Sequence, residues 1–319
     1  MTPCDTPILL IVYQRHSPLL GLIDILRGIR PQRLYVFADG PKNGGEWAAC
    51  RQARSSLDRI DWECRLTRRF EASNLGCGQG PAAAISWFFE HEAEGIILED
   101  DLLPHPDFFR FMAEMLERFR DDERVMDICG TNRLGKWRDG GQSYLFSQWG
   151  SSCGWASWRR AWNHFDFHIK AWDDPGSRRV IRDIYRRPLW RSYLRRMLER
   201  TRRGGQDVTW WDYQWGLAKN LRGGLSVVPA DNLVRNVGCD RHSTHDREPG
   251  HSPKAARETA GLTFPLRHPV QVCPDPGFDE ALLDKAISLR NYLSSMVPYW
   301  LKQRLKRLMG SPGERLWTG

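Results

Sequence analysis

Gly95-Ile96-Ile97-Leu98-Glu99-Asp100-Asp101, continued by Leu102-Leu103-Pro104-His105-Pro106-Asp107-Phe108-Phe109, decides the fold of this 319-residue chain. Ile96 to Leu98 form a short apolar run, the pattern of a strand buried on both faces of a parallel sheet. Three carboxylates follow where the chain leaves the sheet. In open α/β sheets the ligand crevice lies outside the carboxyl ends of the strands. Adjacent carboxylates repel one another and are costly to desolvate unless a cation neutralises them. An all-oxygen set suits Mg²⁺ or Mn²⁺, which one carboxylate plus substrate phosphates commonly holds. The plain alternative is a solvated acidic turn before a helix, because Asp and Glu favour helix starts.

The flanking sequence repeats the strand–helix rhythm. Ile8 to Tyr13 reads as a buried strand, followed by a helix over Leu19–Leu26 capped by Ser17 and Pro18. Arg33 to Phe37 reads as a second strand ended by the turn Ala38-Asp39-Gly40-Pro41, and Glu46 to Leu57 as a helix. Glu63 to Leu66 gives a third strand. Asn74-Leu75-Gly76-Cys77-Gly78-Gln79-Gly80-Pro81 reads as a Gly-rich turn feeding a helix over 82–91. A helix over 107–119 follows the acidic motif. This alternation predicts a parallel or mixed α/β sheet flanked by crossover helices.

Beyond residue 125 the rhythm weakens. Met126–Cys129 and Leu225–Val228 read as strands and Asp207–Leu221 as a helix, while 241–276 is rich in Pro and His and reads as loop. Glu280 to Met309 reads as a helical tail broken near Pro298. Its apolar positions Leu293, Val297, Trp300, Leu301, Leu305 and Leu308 are surrounded by Lys302, Arg304, Lys306 and Arg307. Such a helix either docks on the domain or lies on a membrane surface. The expected organisation is a catalytic unit over 1–276, with a ligand-binding half over 1–125 and an acceptor-side half over 126–276, and a basic tail over 277–319.

The formal net charge of +8 is concentrated. Residues 177–204 contain eleven Arg against Asp183 and Glu199, so one helical arm carries the basic balance. It faces an anionic partner or is a solvated helix face. No nucleic-acid motif accompanies it, which argues against nucleic acid. The eight Cys are scattered without a CxxC, which excludes a zinc ribbon or thioredoxin motif and fits free thiols in a reducing cytoplasm. No signal core and no membrane-length apolar segment occur, so a cytoplasmic protein, at most peripheral to the membrane, is expected. The 15 Trp offer flat faces suited to sugar or base stacking as well as to core packing.

Four local patterns together resemble GT-A-fold glycosyltransferases, and within them the branch around N-acetylglucosaminyltransferase I. They are the first strand leading into Tyr13-Gln14-Arg15, Asp39 in Phe37-Ala38-Asp39-Gly40, Glu99-Asp100-Asp101 followed by Pro106-Asp107-Phe108-Phe109, and Trp211-Asp212-Tyr213-Gln214-Trp215. The third is the most specific. The resemblance spans about residues 8–245 and leaves the Arg-rich arm and the C-terminal tail unmapped. It implies a GT-A-like fold and a divalent metal, Mn²⁺ or Mg²⁺. It also implies a nucleotide-sugar donor, UDP-linked in first place, and a glycan or glycoconjugate acceptor. By the same resemblance Asp101 meets the metal, Arg15 the donor phosphates, Asp39 the uracil base, and Asp212 acts as general base.

Chemistry fits these roles. A departing nucleoside diphosphate develops negative charge that a metal and an Arg stabilise, with Glu99 and Asp100 shaping the donor contacts. An acceptor hydroxyl needs a base, and direct attack inverts the anomeric carbon. Asn74 and Gly76 are placed near the donor ribose, His245 near the metal or diphosphate, and Trp155 and Trp158 in the acceptor floor. Each has a plainer reading. Asp39 can be a turn residue, Arg15 a partner of the acidic cluster, Asp212 a surface residue with Asp207 as rival base, and His245 an exposed loop side chain. A nucleotidyltransferase acting on a sugar phosphate is the nearest competing function, but no Gly-rich loop follows the first strand. A basic polyanion- or membrane-binding protein is the non-enzymatic alternative. A dinucleotide-binding dehydrogenase lacks its glycine fingerprint.

Overall fold

The structure, a computed structural model, describes residues 5–137, 141–204, 208–238, 258–287 and 289–296. The first half follows the expected alternation: β1 (Ile8–Val12), α1 (His16–Ile29), β2 (Arg33–Ala38), α2 (Trp47–Ser55), β3 (Arg65–Phe70), α3 (Gly76–His91) and β4 (Glu94–Glu99). Then come β5 (Leu102–Pro104), α4 (Pro106–Arg118), β6 (Val125–Cys129), β7 (Tyr144–Ser147), β8 (Trp155–Trp158) and α5 (Arg159–Trp162). The remainder is α6 (Pro175–Ile184), α7 (Pro188–Arg203), α8 (Asp212–Arg222), β9 (Leu225–Pro229), β10 (Val234–Asn236), α9 (Pro276–Ala286) and α10 (Leu289–Met296).

Eight strands form one mixed sheet in the order β3-β2-β1-β4-β8-β6-β9-β7, flanked by helices as expected. Strands β1 to β4 are mutually parallel where they pair, while β8 runs antiparallel between β4 and β6. The chain steps outward from β1 to β3, then crosses to β4 on the other side of β1. That reversal makes the β1/β4 junction the topological switch point, where a crevice opens at the carboxyl ends of the strands.

One face of the sheet buries Leu10, Val36, Leu98 and Trp158 against α1 and α4. The other buries Leu9, Phe37, Ile97 and Trp155 against α3 and α8. Helix α1 shows why: Leu19, Leu22, Ile23 and Leu26 recur at helical spacing on one stripe. Its N-cap is Arg15, with no side-chain cap, rather than Ser17.

Several elements differ from the sequence reading. Helix α3 begins at Gly76, so most of the Gly-rich segment is helical and Pro81 lies inside the helix. Two contacts explain the early start. The Asp39 carboxylate accepts from the Leu75 and Gly76 N–H groups at 2.8 and 3.1 Å, binding N–H groups that open the helix. A Cβ on Gly78 would lie 3.1–3.2 Å from the Trp210 and Val208 backbone, so a small residue permits the close packing. The Arg-rich arm is two helices, α6 and α7, split before Pro188 as a proline-preceding residue favours. The C-terminal helical segment is already broken after Ala286, while the expected break near Pro298 lies outside the described residues, and α9 is buried through Phe278, Leu282 and Leu283. Residues 297–309 of the expected tail lie outside the described residues.

Candidate active site

A cleft of about 570 Å³ opens at the switch point. Its outer end is lined by Tyr13, Arg15, Glu99, Asp100 and Asp101, and its inner end by Asp127, Trp155, Trp215 and Lys219. The loop after β1 is only three residues long, Tyr13 to Arg15, and it is clamped to the acidic motif. The Tyr13 N–H donates to Asp100 Oδ2 at 2.8 Å and the Arg15 N–H to the same oxygen at 3.4 Å. The Asp100 N–H in turn donates to the Ile11 carbonyl at 3.0 Å. The acidic motif is therefore fixed by main-chain bonds across the β1/β4 junction.

Arg15 Nε lies 3.5 Å from Asp101 Oδ2, and its Nη2 donates to the Gly238 carbonyl at 2.6 Å. A Cβ on Gly238 would fall 1.8 Å from Asp101 Oδ2, so only glycine permits this approach. Strand β10 pairs with β5 and brings the chain to this point, where the Val237 N–H donates to the Asp101 carbonyl at 2.9 Å. His245 and Asp207 lie outside the described residues.

Electrostatics make the outer end unusual. Burial, then the charge of Asp101, holds the Glu99 and Asp100 carboxyls above the ordinary carboxylate range. Asp212, exposed at the start of α8 and lining the same cleft, adds to the effect at Glu99. Three carboxylates thus share the outer end with the guanidinium of Arg15, and the repulsion of Asp101 on Glu99 and Asp100 favours an added cation. All the ligating atoms available are hard oxygens, which suits Mg²⁺ or Mn²⁺. Among the described residues, no three His, Cys, Asp or Glu side chains gather into a cage. A metal held by one or two carboxylates plus substrate phosphates needs none.

The other expected residues are distributed as follows. Asp39, buried at the end of β2, uses four acceptor positions internally. Oδ1 accepts from the Gly40 and Leu75 N–H groups, and Oδ2 from the Gly76 N–H and Asn74 Nδ2. Burial pushes its carboxyl up, offset by the main-chain donors. Asn74 Nδ2 also donates to the Gly40 carbonyl at 2.8 Å. Asp39 and Asn74 thus brace each other. Trp155 lines the cleft, but Trp158 turns to the opposite face of the sheet against α4. Residues 155 and 158 fall on opposite faces because strand side chains alternate with period two. Trp215, donated by α8, stands in the cleft instead.

Sequence reasoning missed Arg133, Asp127, Lys219 and the pair Tyr193/Tyr213, whose hydroxyls lie 2.8 Å apart in the cleft wall. Arg133 had a signal, since it follows an apolar strand end just as Arg15 does. Asp127 had another, as the lone charge inside Val125-Met126-Asp127-Ile128-Cys129. The Arg-rich arm turns out to wall the cleft. Ile181, Tyr185, Leu194 and Leu198 pack inward. On its outer side, Arg187 pairs with Asp284, Arg195 with Glu199 and Arg202 with Asp173, and Arg200 lies over the Trp210 ring.

No family model and no curated protein matches the chain in sequence. Among similar solved structures is the mannose-1-phosphate geranyltransferase of Thermus thermophilus, 12% identical over 74% of this chain and 77% of that one, with a TM-score of 0.36. Another is a UDP-glucose pyrophosphorylase complexed with UDP-glucose, 7% identical over 72% of this chain and 92% of that one, with a TM-score of 0.35. At these values neither likeness bears on the activity.

Proposed function

We propose that this chain is a metal-dependent, inverting glycosyltransferase. It moves a sugar from a nucleotide-sugar donor, UDP-linked in first place, to a hydroxyl of a glycan or glycoconjugate. The observation that carries the reading is the Glu99-Asp100-Asp101 cluster facing Arg15 at the β1/β4 switch point. Asp101 would hold Mn²⁺ or Mg²⁺ together with the donor phosphates, and the metal would neutralise charge on the departing nucleoside diphosphate. His245 is a further proposed ligand. Arg15, released from Asp101, makes a bidentate contact with phosphate. Arg133 is a second cation within the same cleft.

Asp212 is proposed as the base. It takes the acceptor hydroxyl proton as that oxygen bonds to the anomeric carbon and the bond to the leaving phosphate oxygen breaks. Asp39 and Asn74 flank the donor's base and ribose, where a base contact to Asp39 replaces one of its four internal bonds. We place the catalytic unit from the N-terminal strand through α9, since α9 is part of the core. The three-residue loop between β1 and α1 supports transfer over nucleotidyl transfer, because it is too short to wrap a triphosphate in backbone amides.

The test is product analysis with a nucleotide-sugar panel and Mn²⁺. Release of nucleoside diphosphate is expected. Asp212→Asn should lower turnover by about 10²- to 10⁴-fold while nucleotide binding is unchanged. Release of pyrophosphate from a nucleoside triphosphate and a sugar phosphate would move the assignment to the nucleotidyltransferase reading.

No helix among the described residues is long and apolar enough to cross a membrane. Peripheral contact is a separate proposal. Helix α10 carries Leu289, Leu293 and Met296 on exposed positions at helical spacing, 61%, 52% and 43% exposed. Co-sedimentation with anionic vesicles that persists unchanged in Leu289→Ser/Leu293→Ser would remove this face from consideration.

A further inference from the structure

The inner end of the cleft carries a second polar constellation that the acidic motif does not use. Asp127 and Lys219 form an ion pair at 2.8 Å with side chains only 5% and 3% exposed. Asp127 Oδ2 is fully engaged, accepting from Lys219 Nζ and from Trp215 Nε1 at 2.7 Å. Asp127 Oδ1 is buried and has no hydrogen-bond partner among the described residues. The same holds for Trp155 Nε1, whose ring lies 5.9 Å from that of Trp215. Both residues line the cleft.

The backbone sets this arrangement in place. A register shift between Val125 and Asp127 marks a bulge in β6. It turns Met126 and Asp127 both toward α8, while Ile128 returns to the opposite core. Bulges re-aim side chains in this way and recur beside functional sites. Gly150 closes over the pair. A Cβ there would lie 2.6 Å from Ser226 Oγ and 2.8 Å from Lys219 Nζ, so a larger residue would press into the pair.

An orphaned buried acceptor costs free energy that a ligand donor recovers. A buried carboxylate oxygen and an indole N–H, on two residues that line the same aromatic-walled cleft, call for a group that both donates and accepts. A hydroxyl does so, and a ring of hydroxyls with an apolar face fits the surrounding Trp and Tyr. We infer that Asp127 Oδ1 and Trp155 Nε1 form a binding subsite for the hydroxyls of a sugar ring, with Lys219 and Trp215 orienting the carboxylate through its other oxygen. Strand β6 lies two strands from β4, about 10 Å away, so this subsite is separate from the acidic cluster. The inference rests on the proposed function only in taking the polyol to be a sugar.

Saturation-transfer NMR on the full chain tests it, with the methyl glycosides of glucose, galactose, mannose and N-acetylglucosamine as probes. At least one glycoside is expected to bind. Its affinity should fall roughly tenfold or more in Asp127→Asn/Lys219→Met, which replaces the charged carboxylate by a weaker, neutral amide without leaving a lone buried charge. If that variant does not fold, Trp155→Phe is read instead, with a smaller loss expected. No transfer from any of the four glycosides, or affinity within twofold of wild type in the folded variants, would overturn the inference. Displacement of the glycoside by a nucleotide sugar but not by its nucleoside diphosphate would assign the subsite to the donor's sugar. Retention would assign it to the acceptor's. Thermal shift with nucleoside diphosphate and Mn²⁺ on the same samples reads the transferase proposal independently, so either idea can fail alone.

Discussion

The two ends of one cleft handle buried charge in opposite ways. At the outer end Glu99, Asp100 and Asp101 share the guanidinium of Arg15, and the Glu99 and Asp100 carboxyls are pushed up by burial and then by the charge of Asp101. At the inner end one carboxylate, Asp127, meets one ammonium, Lys219, and the pair is threaded with Trp215 and Ser226. A compensated pair holds the fold and offers its spare oxygen. A group of like charges repels until something cationic joins it. The contrast separates a carboxylate paired within the fold from a group of like charges that favours a cation, although both sit on, or at the end of, strands of the same sheet.

The largest effect should come from breaking the compensated end. Lys219→Met leaves Asp127 as a buried charge held by one indole N–H. Removing one partner of a buried pair typically costs about 3–5 kcal/mol. Urea unfolding should show that loss, and Asp127→Asn/Lys219→Met should restore much of it. Equal stability of wild type and Lys219→Met would mean that water reaches the pair, and the contrast would collapse.

The outer end should respond differently. Asp101→Asn removes a repulsive charge along with an ion-pair partner of Arg15, so unfolding free energy should stay within about 1 kcal/mol of wild type. The ligand response should vanish instead. A native-state ligand at a hundred times its dissociation constant stabilises by about 2.7 kcal/mol. Wild type should gain on this order from a nucleoside diphosphate with Mn²⁺, and Asp101→Asn should gain little. A full metal-dependent shift in the variant would take Asp101 out of the metal site.

Much of the outer end was legible in the sequence because local chemistry reports it. An apolar run, then three carboxylates, then a proline-led helix is a continuous signal, and the strand–helix alternation fixes where such a motif sits. The inner end was not legible, because its parts come from β6, β8 and α8 and meet only through the sheet order. Asp127 stood out as a charge in an apolar strand, but nothing nearby named Lys219 as its partner. Trp155 and Trp158 looked equivalent until strand alternation put them on opposite faces. The Arg-rich arm, open in the sequence between an anionic partner and a solvated face, fits the solvated face. Its spacing of Trp190, Leu194, Met197, Leu198 and Thr201 is that of a packing helix, and none of the helix's arginines is among its buried residues. The start of α3 was hidden because the Asp39 carboxylate that supports it lies in another element.

Asp279 sharpens the comparison from between the two extremes. It is buried in α9 and bonded to neutral donors, the Ser147 hydroxyl and, at 3.1 Å, the Gln148 N–H. Burial pushes its carboxyl up to about 6, against 3.8 for an ordinary Asp, with Ser147 and Gln148 opposing. The folded state therefore binds this proton more tightly than the unfolded chain. Stability from this group is fully present below about pH 4 and is lost as pH rises through about 6. At 1.36 kcal/mol per unit, the difference between wild type and Asp279→Asn should change by about 2 kcal/mol across that window. Subtracting the variant's curve cancels the acidic cluster, which titrates in both proteins. A flat difference would mean that Lys219, whose charge favours the ionised form of Asp279, already compensates this carboxylate. Asp279 would then belong with Asp127 on the paired side of the contrast.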